Sequence, residues 1–143
     1  MDKNYRVAVV DGQGGGIGKT LVSKIRKELP EIDILALGTN SQATNQMIRA
    51  GATEGATGEN AIVYNANKVD VIVGVLAIIV SNSLLGELTP KMADAISQSS
   101  AFKILIPMNR CNVEVVGIST NSLPILIDSV VDEIKDYIKK AVE

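Results

Sequence analysis

Asp11-Gly12-Gln13-Gly14-Gly15-Gly16-Ile17-Gly18-Lys19-Thr20 is the stretch of this sequence that decides the fold. It follows Arg6–Val10 (RVAVV), a short β-branched run that predicts a strand. It leads into apolar residues whose spacing puts them on one face of a helix: Ile17, Leu21, Val22, Ile25 and Leu29. A helix N-terminus offers free N–H groups and partial positive charge, and glycines let an anion approach them closely. The stretch therefore predicts a turn that binds phosphate.

Three phosphate-binding patterns compete for this turn. The fingerprint G-x-G-x-x-G fails in register, because its last glycine would fall on Ile17. The P-loop pattern G-x-x-x-x-G-K-[ST] ends correctly at Lys19-Thr20 but has Gln13 in place of its first glycine. The pattern G-x-x-x-G-[IL]-G, which resembles the turn of short-chain dehydrogenases, fits at Gly12, Gly16, Ile17 and Gly18. A structural alternative is that the glycines serve only tight packing of the strand against the helix.

The rest of the chain alternates predicted strands and helices. We predict further strands at Ile32–Leu37, Val71–Val75, Lys103–Pro107 and Val113–Gly117. We predict helices from Asn40 or Ser41 to Ala50, and at Asn60–Lys68, Thr89–Ser99 and Leu123–Val142, with Gly51–Glu59 as a loop. The alternation implies one Rossmann-like domain over residues 1–143, a three-layer α/β/α fold with a mainly parallel sheet. The last two strands could form a hairpin, which would give an antiparallel edge strand.

Composition supports this fold and excludes several functions. Hydrophobic residues make up 46% of the 143 residues but aromatics only 3%, so aliphatic side chains must fill the core, as in a parallel sheet covered on both faces. One cysteine and no histidine leave no disulfide, no usual zinc site and no histidine-based catalysis. The net charge of −2 argues against nucleic acid as the main partner. The longest apolar run, Val71–Val80, is too short to span a membrane, so we expect a cytoplasmic protein.

Ligands of open α/β sheets bind beyond the carboxyl ends of the strands, and these ends are polar here. Arg110 follows the fourth predicted strand, and its planar guanidinium suits a phosphate or carboxylate. The predicted binding residues are Gly12, Gln13, Gly14, Gly15, Gly16, Ile17, Gly18, Thr39, Asn40, Asn82, Asn109 and Arg110.

Each enzyme hypothesis lacks a part. A dinucleotide site normally has an acid at the end of the second strand to bind ribose, where this chain has Gly38-Thr39-Asn40. Tyr64 and Lys68 match the Y-x-x-x-K spacing of short-chain dehydrogenases, but they precede the third predicted strand, which is too early. An ATPase needs a carboxylate for Mg²⁺, usually at the end of a strand; Asp11 is part of the turn itself, and the loop residues Glu59 and Glu87 lie in no recognised motif. The sequence assigns no catalytic residue.

Four motifs taken together carry a family resemblance: DGQGGGIGK, ALGTN, GATGENAIVYNA and ILIPMNRCN. The chain resembles a family of small bacterial proteins that is labelled a domain of unknown function, from about Arg6 to the last helix. The resemblance implies a stand-alone cytoplasmic protein and supplies no activity.

The functional expectation therefore comes from the residues. We expect a nucleotide- or dinucleotide-binding protein of regulatory role, a homodimer whose ligand is NAD(P) or another phosphate-bearing nucleotide. Two alternatives stay open. One is an NAD(P)-dependent enzyme of the short-chain-dehydrogenase type, and the other is a P-loop-like ATPase.

Overall fold

The computed structural model describes residues 4–108, 111–118 and 121–142. Strands and helices alternate along the chain. The elements in order are β1 (Arg6–Asp11), α1 (Gly16–Glu28), β2 (Asp33–Gly38), α2 (Ser41–Arg49), β3 (Glu54–Thr57), α3 (Glu59–Asn65), β4 (Val71–Val75), α4 (Pro90–Gln98), β5 (Phe102–Ile106) and α5 (Leu123–Val142). Two short 3₁₀ turns, Leu76–Ile79 and Leu84–Gly86, lie in the long connection between β4 and α4.

The strands form one parallel sheet in the order β3-β2-β1-β4-β5. Helix α1 packs beside α2 and α5, while α3 packs beside α4, so helices cover both faces of the sheet. Right-handed crossovers between parallel strands produce this division of the helices. The predicted Rossmann-like α/β fold is confirmed.

Aliphatic side chains fill the core, as the composition predicts. Every residue of β4, the sequence VIVGV, is buried, and so are five of the six residues of β1. The predicted apolar face of α1 supplies Leu21, Val22 and Ile25, which have no exposed surface. A strand that is buried on both faces has no polar alternation, and this explains the continuous apolar runs.

The predicted loop Gly51–Glu59 contains a strand, β3, at the edge of the sheet. Its four residues, EGAT, pair in parallel with β2, from Leu35 opposite Glu54 to Gly38 opposite Thr57. At Gly55 a Cβ would come within 2.9 Å of both Ile48 and Thr44, so the absence of a side chain lets α2 pack closely over this edge. Backbone pairing with β2, rather than a β-branched sequence, makes this segment a strand.

The prediction of a fifth strand at Val113–Gly117, paired antiparallel with its neighbour, is wrong. The segment contains no strand, and Val116 is 92% exposed. Asn112 and Gly117, with φ of 59° and 89°, bracket the segment with left-handed backbone that a regular ladder does not accept. The alternating valines bury no common face, so they cannot hold a strand on the sheet. The edge on this side is β5.

Capping residues place the helix starts where the sequence predicts them. The Asn40 side chain accepts a hydrogen bond from Ala43 N at 2.9 Å, and Thr89 accepts one from Met92 N at 3.2 Å just before Pro90. Helix α3 ends at Asn65, earlier than the predicted Lys68. Within the described ranges, no helix combines the length and the apolar character needed to cross a membrane.

Candidate functional site

The candidate site is a cleft at the carboxyl ends of β1 and β4, where the strand order changes direction. Open parallel sheets bind ligands at such a switch point, because the connections on either side of it diverge. The cleft has a volume of about 270 Å³, and residues 11–17 form one wall. The opposite wall is apolar and consists of Val75, Ala77, Leu84, Met108 and Leu123.

The side chain of Asp11, the last residue of β1, holds the backbone of the turn in place. Its carboxylate is buried and accepts hydrogen bonds from Gly12 N at 2.8 Å and from Gly18 N at 2.6 Å. Gly15 N donates to Gly12 O at 3.0 Å and closes the turn. Burial raises the pKa of Asp11 above its ordinary 3.8 more than these two bonds lower it, and the nearby Glu87 charge raises it further.

Three of the turn's glycines are required by packing or backbone geometry. A Cβ at Gly12 would lie 2.6 Å from Thr39 Oγ1, and one at Gly18 would lie 2.8 Å from the Asp11 side chain and from Met47 Sδ. Gly15 has a φ of 77° and would place a Cβ 2.8 Å from the Ala43 Cα. The packing explanation for the glycines is therefore correct at these three positions.

Packing does not explain Gly14 and Gly16. A Cβ at either residue would meet no atom within 4 Å apart from its own adjoining stretch of chain, and neither has a positive φ. Both residues are exposed and line the cleft. Within the described residues, the N–H groups of Gly14, Gly16 and Ile17 have no hydrogen-bond acceptor. The turn thus presents unpaired donors at the N-terminus of α1, where the helix dipole favours a negative charge.

Glu87, from the connection between β4 and α4, joins the turn to the end of β2. Its Oε1 accepts from Thr39 Oγ1 at 2.7 Å, from Gln13 N at 2.8 Å and from Asn40 Nδ2 at 2.9 Å. Asn40 Nδ2 also donates to Gln13 O at 2.9 Å. Partial burial raises the pKa of Glu87, but the bonds from Thr39, Gln13 and Asn40 together outweigh burial and lower the pKa below 4.5. The carboxylate therefore stays ionised at neutral pH.

The segment that carries Glu87 is held in an unusual backbone conformation. Leu84 and Leu85 both have positive φ, 55° and 56°, a region that a leucine rarely adopts. Buried anchors hold the segment on either side: Ser83 Oγ donates to Ala77 O at 2.5 Å, and the Leu88 side chain has no exposed surface. This conformation places Leu84 in the cleft wall and Glu87 beside the turn.

The structure brings together most of the predicted site residues. Thr39 and Asn40 are not part of the cleft wall, but they lie beside the turn and connect to it through Glu87. Asn82 does not join them: it is exposed, it is not part of the cleft wall, and its backbone serves the connection by donating to Leu88 O. Asn109 and Arg110 lie outside the described residues. Sequence reasoning considered Glu87 only as a loop carboxylate for Mg²⁺ and placed neither Asp11 nor Glu87 among the nucleotide-binding residues.

Among the described residues, Thr20, Tyr64 and Lys68, which the two enzyme hypotheses need, do not line the cleft, whereas Glu87, a candidate Mg²⁺ carboxylate, lies beside the turn. Thr20 Oγ1 donates to Gly16 O at 3.0 Å, so the hydroxyl that a P-loop would direct at Mg²⁺ is bonded within the helix. Tyr64 is 62% exposed, and Lys68 Nζ lies 4.0 Å above the centroid of its ring. Neither residue lines the cleft. In the described part of the chain, no group of three or more acidic or cysteine residues is placed to bind a metal ion.

The fold and the site define a Rossmann-like α/β domain with a glycine-rich turn at the switch point of its sheet. The chain belongs to the family described as "Domain of unknown function (DUF3842)", whose sequence model matches residues 6–139. The predicted membership in a family of unknown function is confirmed. No curated protein matches the sequence.

Two solved structures have a similar fold. One is described as a universal stress protein in complex with cAMP; it is 19% identical, with a TM-score of 0.41, over 73% of this chain and 98% of that one. The other is a dodecameric FMN-dependent Ubix-like decarboxylase from Escherichia coli O157:H7. It is 13% identical, with a TM-score of 0.48, over 94% of both chains.

Proposed function

We propose that the protein binds a nucleotide or dinucleotide through a phosphate group on the Gly12–Gly18 turn. The observation that carries this proposal is the pair Gly14 and Gly16, which line the cleft and have neither a packing nor a backbone reason to be glycine. A side chain at either position would cover the unpaired N–H groups of the turn. Glycine at these two positions is what a phosphate that contacts the backbone requires.

The opposite wall of the cleft suits the remainder of such a ligand. Val75, Ala77, Leu84, Met108 and Leu123 present apolar surface across from the turn. A flat base or ring is stabilised when it leaves water and packs on apolar surface of this kind, while the phosphate keeps its hydrogen bonds. NAD(P) and mononucleotides both combine these two chemistries, and both are candidate ligands.

The protein's role on this proposal is regulatory binding rather than catalysis. Among the described residues that line the cleft, Asp11 is the one with an ionisable side chain, and both of its oxygens are bonded to the turn; Glu87, beside the turn, is held by three hydrogen bonds to one of its oxygens. Such a carboxylate holds the binding loop and is not free to move a proton. We also propose a homodimer, formed through the outer edge of β5, with which no strand of the described residues pairs, since such an edge is a ready interface.

Native mass spectrometry of the purified protein, together with thermal unfolding in the presence of single nucleotides, tests the proposal. The panel is NAD⁺, NADP⁺, ATP, GTP and FMN. A ligand present at 100 times its dissociation constant stabilises the folded state by about 2.7 kcal/mol, which is a clear rise in the unfolding temperature. If no nucleotide co-purifies and none of the five raises that temperature, the proposal is wrong.

A further inference from the structure

The end of β2 in this protein has an acid that the local sequence does not show. The sequence there is Gly38-Thr39-Asn40, without a carboxylate. In the folded chain the Glu87 carboxylate lies against these residues, 2.7 Å from Thr39 Oγ1 and 2.9 Å from Asn40 Nδ2. It reaches this place from the connection after β4, so it takes the spatial position but not the sequence position of an acid at the end of the second strand.

We propose that Glu87 binds the ribose hydroxyls of the ligand and restricts the site to nucleotides with a free 2′,3′-diol. The inference rests on the proposed function. In Rossmann-type sites an acid at the end of the second strand accepts hydrogen bonds from these hydroxyls, and its charge excludes a 2′-phosphate. Glu87 is the carboxylate that stands at this place here.

The hydrogen bonds of Glu87 leave half of the carboxylate for a ligand. Oε1 is saturated by its three donors, from Gln13, Thr39 and Asn40. Oε2 makes no hydrogen bond within the described residues, and the side chain is partly exposed. A carboxylate held rigidly by one oxygen can present the other to a pair of hydroxyls without losing side-chain entropy on binding.

Glu87 is not part of the cleft wall, but it is bonded to Gln13, which is, and so lies next to the proposed phosphate site. Gln13 N donates to Glu87, and the next N–H along the chain, that of Gly14, is unpaired in the described structure. A phosphate on Gly14 and a ribose on Glu87 would therefore contact neighbouring residues of one turn. This matches the connection within a nucleotide, where the phosphate is bonded to the ribose itself.

Calorimetry with three probes tests the proposal: ADP, 2′,3′-dideoxy-ADP and adenosine 2′,5′-bisphosphate. We expect the wild type to bind ADP at least about tenfold more tightly than the dideoxy compound, the usual effect of hydrogen bonds to a charged group. The bisphosphate also lacks the β-phosphate of ADP, so its readout is the comparison of its own affinity for the wild type and for Glu87→Gln, which removes the carboxylate that opposes the 2′-phosphate. In Glu87→Gln the preference for ADP over the dideoxy compound should fall towards one, and binding of the bisphosphate should strengthen.

Glu31→Gln is the matched control, because Glu31 is an exposed acid between α1 and β2, at the opposite end of the strand from Thr39. It removes the same charge and should keep all three affinities of the wild type. Equal affinity of the wild type for ADP and dideoxy-ADP overturns the role of Glu87 and leaves the phosphate site intact. If Glu87→Gln strengthens the binding of ADP and of dideoxy-ADP equally, the ribose role of Glu87 is also overturned. Glu87 would then act on the phosphate and not on the hydroxyls. A wild type that binds FMN but none of the three probes refutes this inference alone, whereas one that binds no nucleotide at all refutes the proposed function with it.

Discussion

Replacing Gly16 by valine should abolish ligand binding and leave the fold intact. The new Cβ meets no atom within 4 Å, and Gly16 has no positive φ, so the backbone accepts it. Gly16 is the first residue of α1, where propensity differences between glycine and valine amount to less than about 1 kcal/mol. The free energy of unfolding should therefore change by no more than that amount.

The effect on binding should be much larger than the effect on stability. The branched side chain would cover the N–H groups of Gly16 and Ile17, which have no acceptor in the described structure. Hydrogen bonds to a charged group contribute about 1.5–3 kcal/mol each, so losing two costs at least about 3 kcal/mol. That corresponds to more than about a hundredfold in the dissociation constant. Calorimetry with the nucleotide found by the panel measures it.

Gly15→Val is the matched comparison, one residue away in the same turn. Gly15 has a φ of 77°, and its Cβ would lie 2.8 Å from the backbone of Ala43. Left-handed backbone costs a residue with a side chain about 1–2 kcal/mol, and overpacking adds about 1–3 kcal/mol. Urea unfolding should show this loss in Gly15→Val and not in Gly16→Val. Unchanged ligand affinity in Gly16→Val, or unfolding as severe as in Gly15→Val, would refute the reasoning.

Three further predictions concern other parts of the molecule. Because the pKa of Glu87 lies below its ordinary 4.5, its network stabilises the fold above that pH, and this contribution is lost as the pH falls through the lowered value. The difference in unfolding free energy between wild type and Glu87→Gln should thus shrink in acid, and a difference that does not vary with pH would contradict the network. Tyr64→Phe should leave ligand affinity and stability unchanged, since Tyr64 is 62% exposed and does not line the cleft. A clear loss of affinity in calorimetry would show that Tyr64 contacts the ligand. Light scattering at low micromolar concentration should give the mass of a dimer, and the mass of a single chain would remove the proposed β5 interface.

Local sequence signals predicted most of the fold. The apolar runs at β1, β2 and β4 have no polar alternation, and this is typical of strands that are covered on both faces. The predicted range of α5, Leu123–Val142, agrees with the structure at both ends. Each of these signals lies within one short stretch of sequence, so these elements could be predicted without knowing which distant residues they contact.

The errors arose where distant partners decide the structure. Glu54–Thr57 has the composition of a loop and becomes a strand because β2 offers it a free edge. Val113–Gly117 has the composition of a strand, but no partner pairs with it within the described residues. Glu87 is an ordinary loop acid in the sequence, and its role depends on contacts with residues 47, 48 and 74 positions away. No local pattern encodes such contacts.

The long sequence separations around Glu87 have a consequence for folding kinetics. Its bonds to Asn40, Thr39 and Gln13 close loops of 47, 48 and 74 residues, which cost more loop-closure entropy than the short-range contacts of β1, α1 and β2. An early intermediate that contains β1, α1 and β2 would have the glycine-rich turn without Glu87 beside it. The ribose recognition that we propose for Glu87 should therefore arise late in folding, together with docking of the β4–α4 connection.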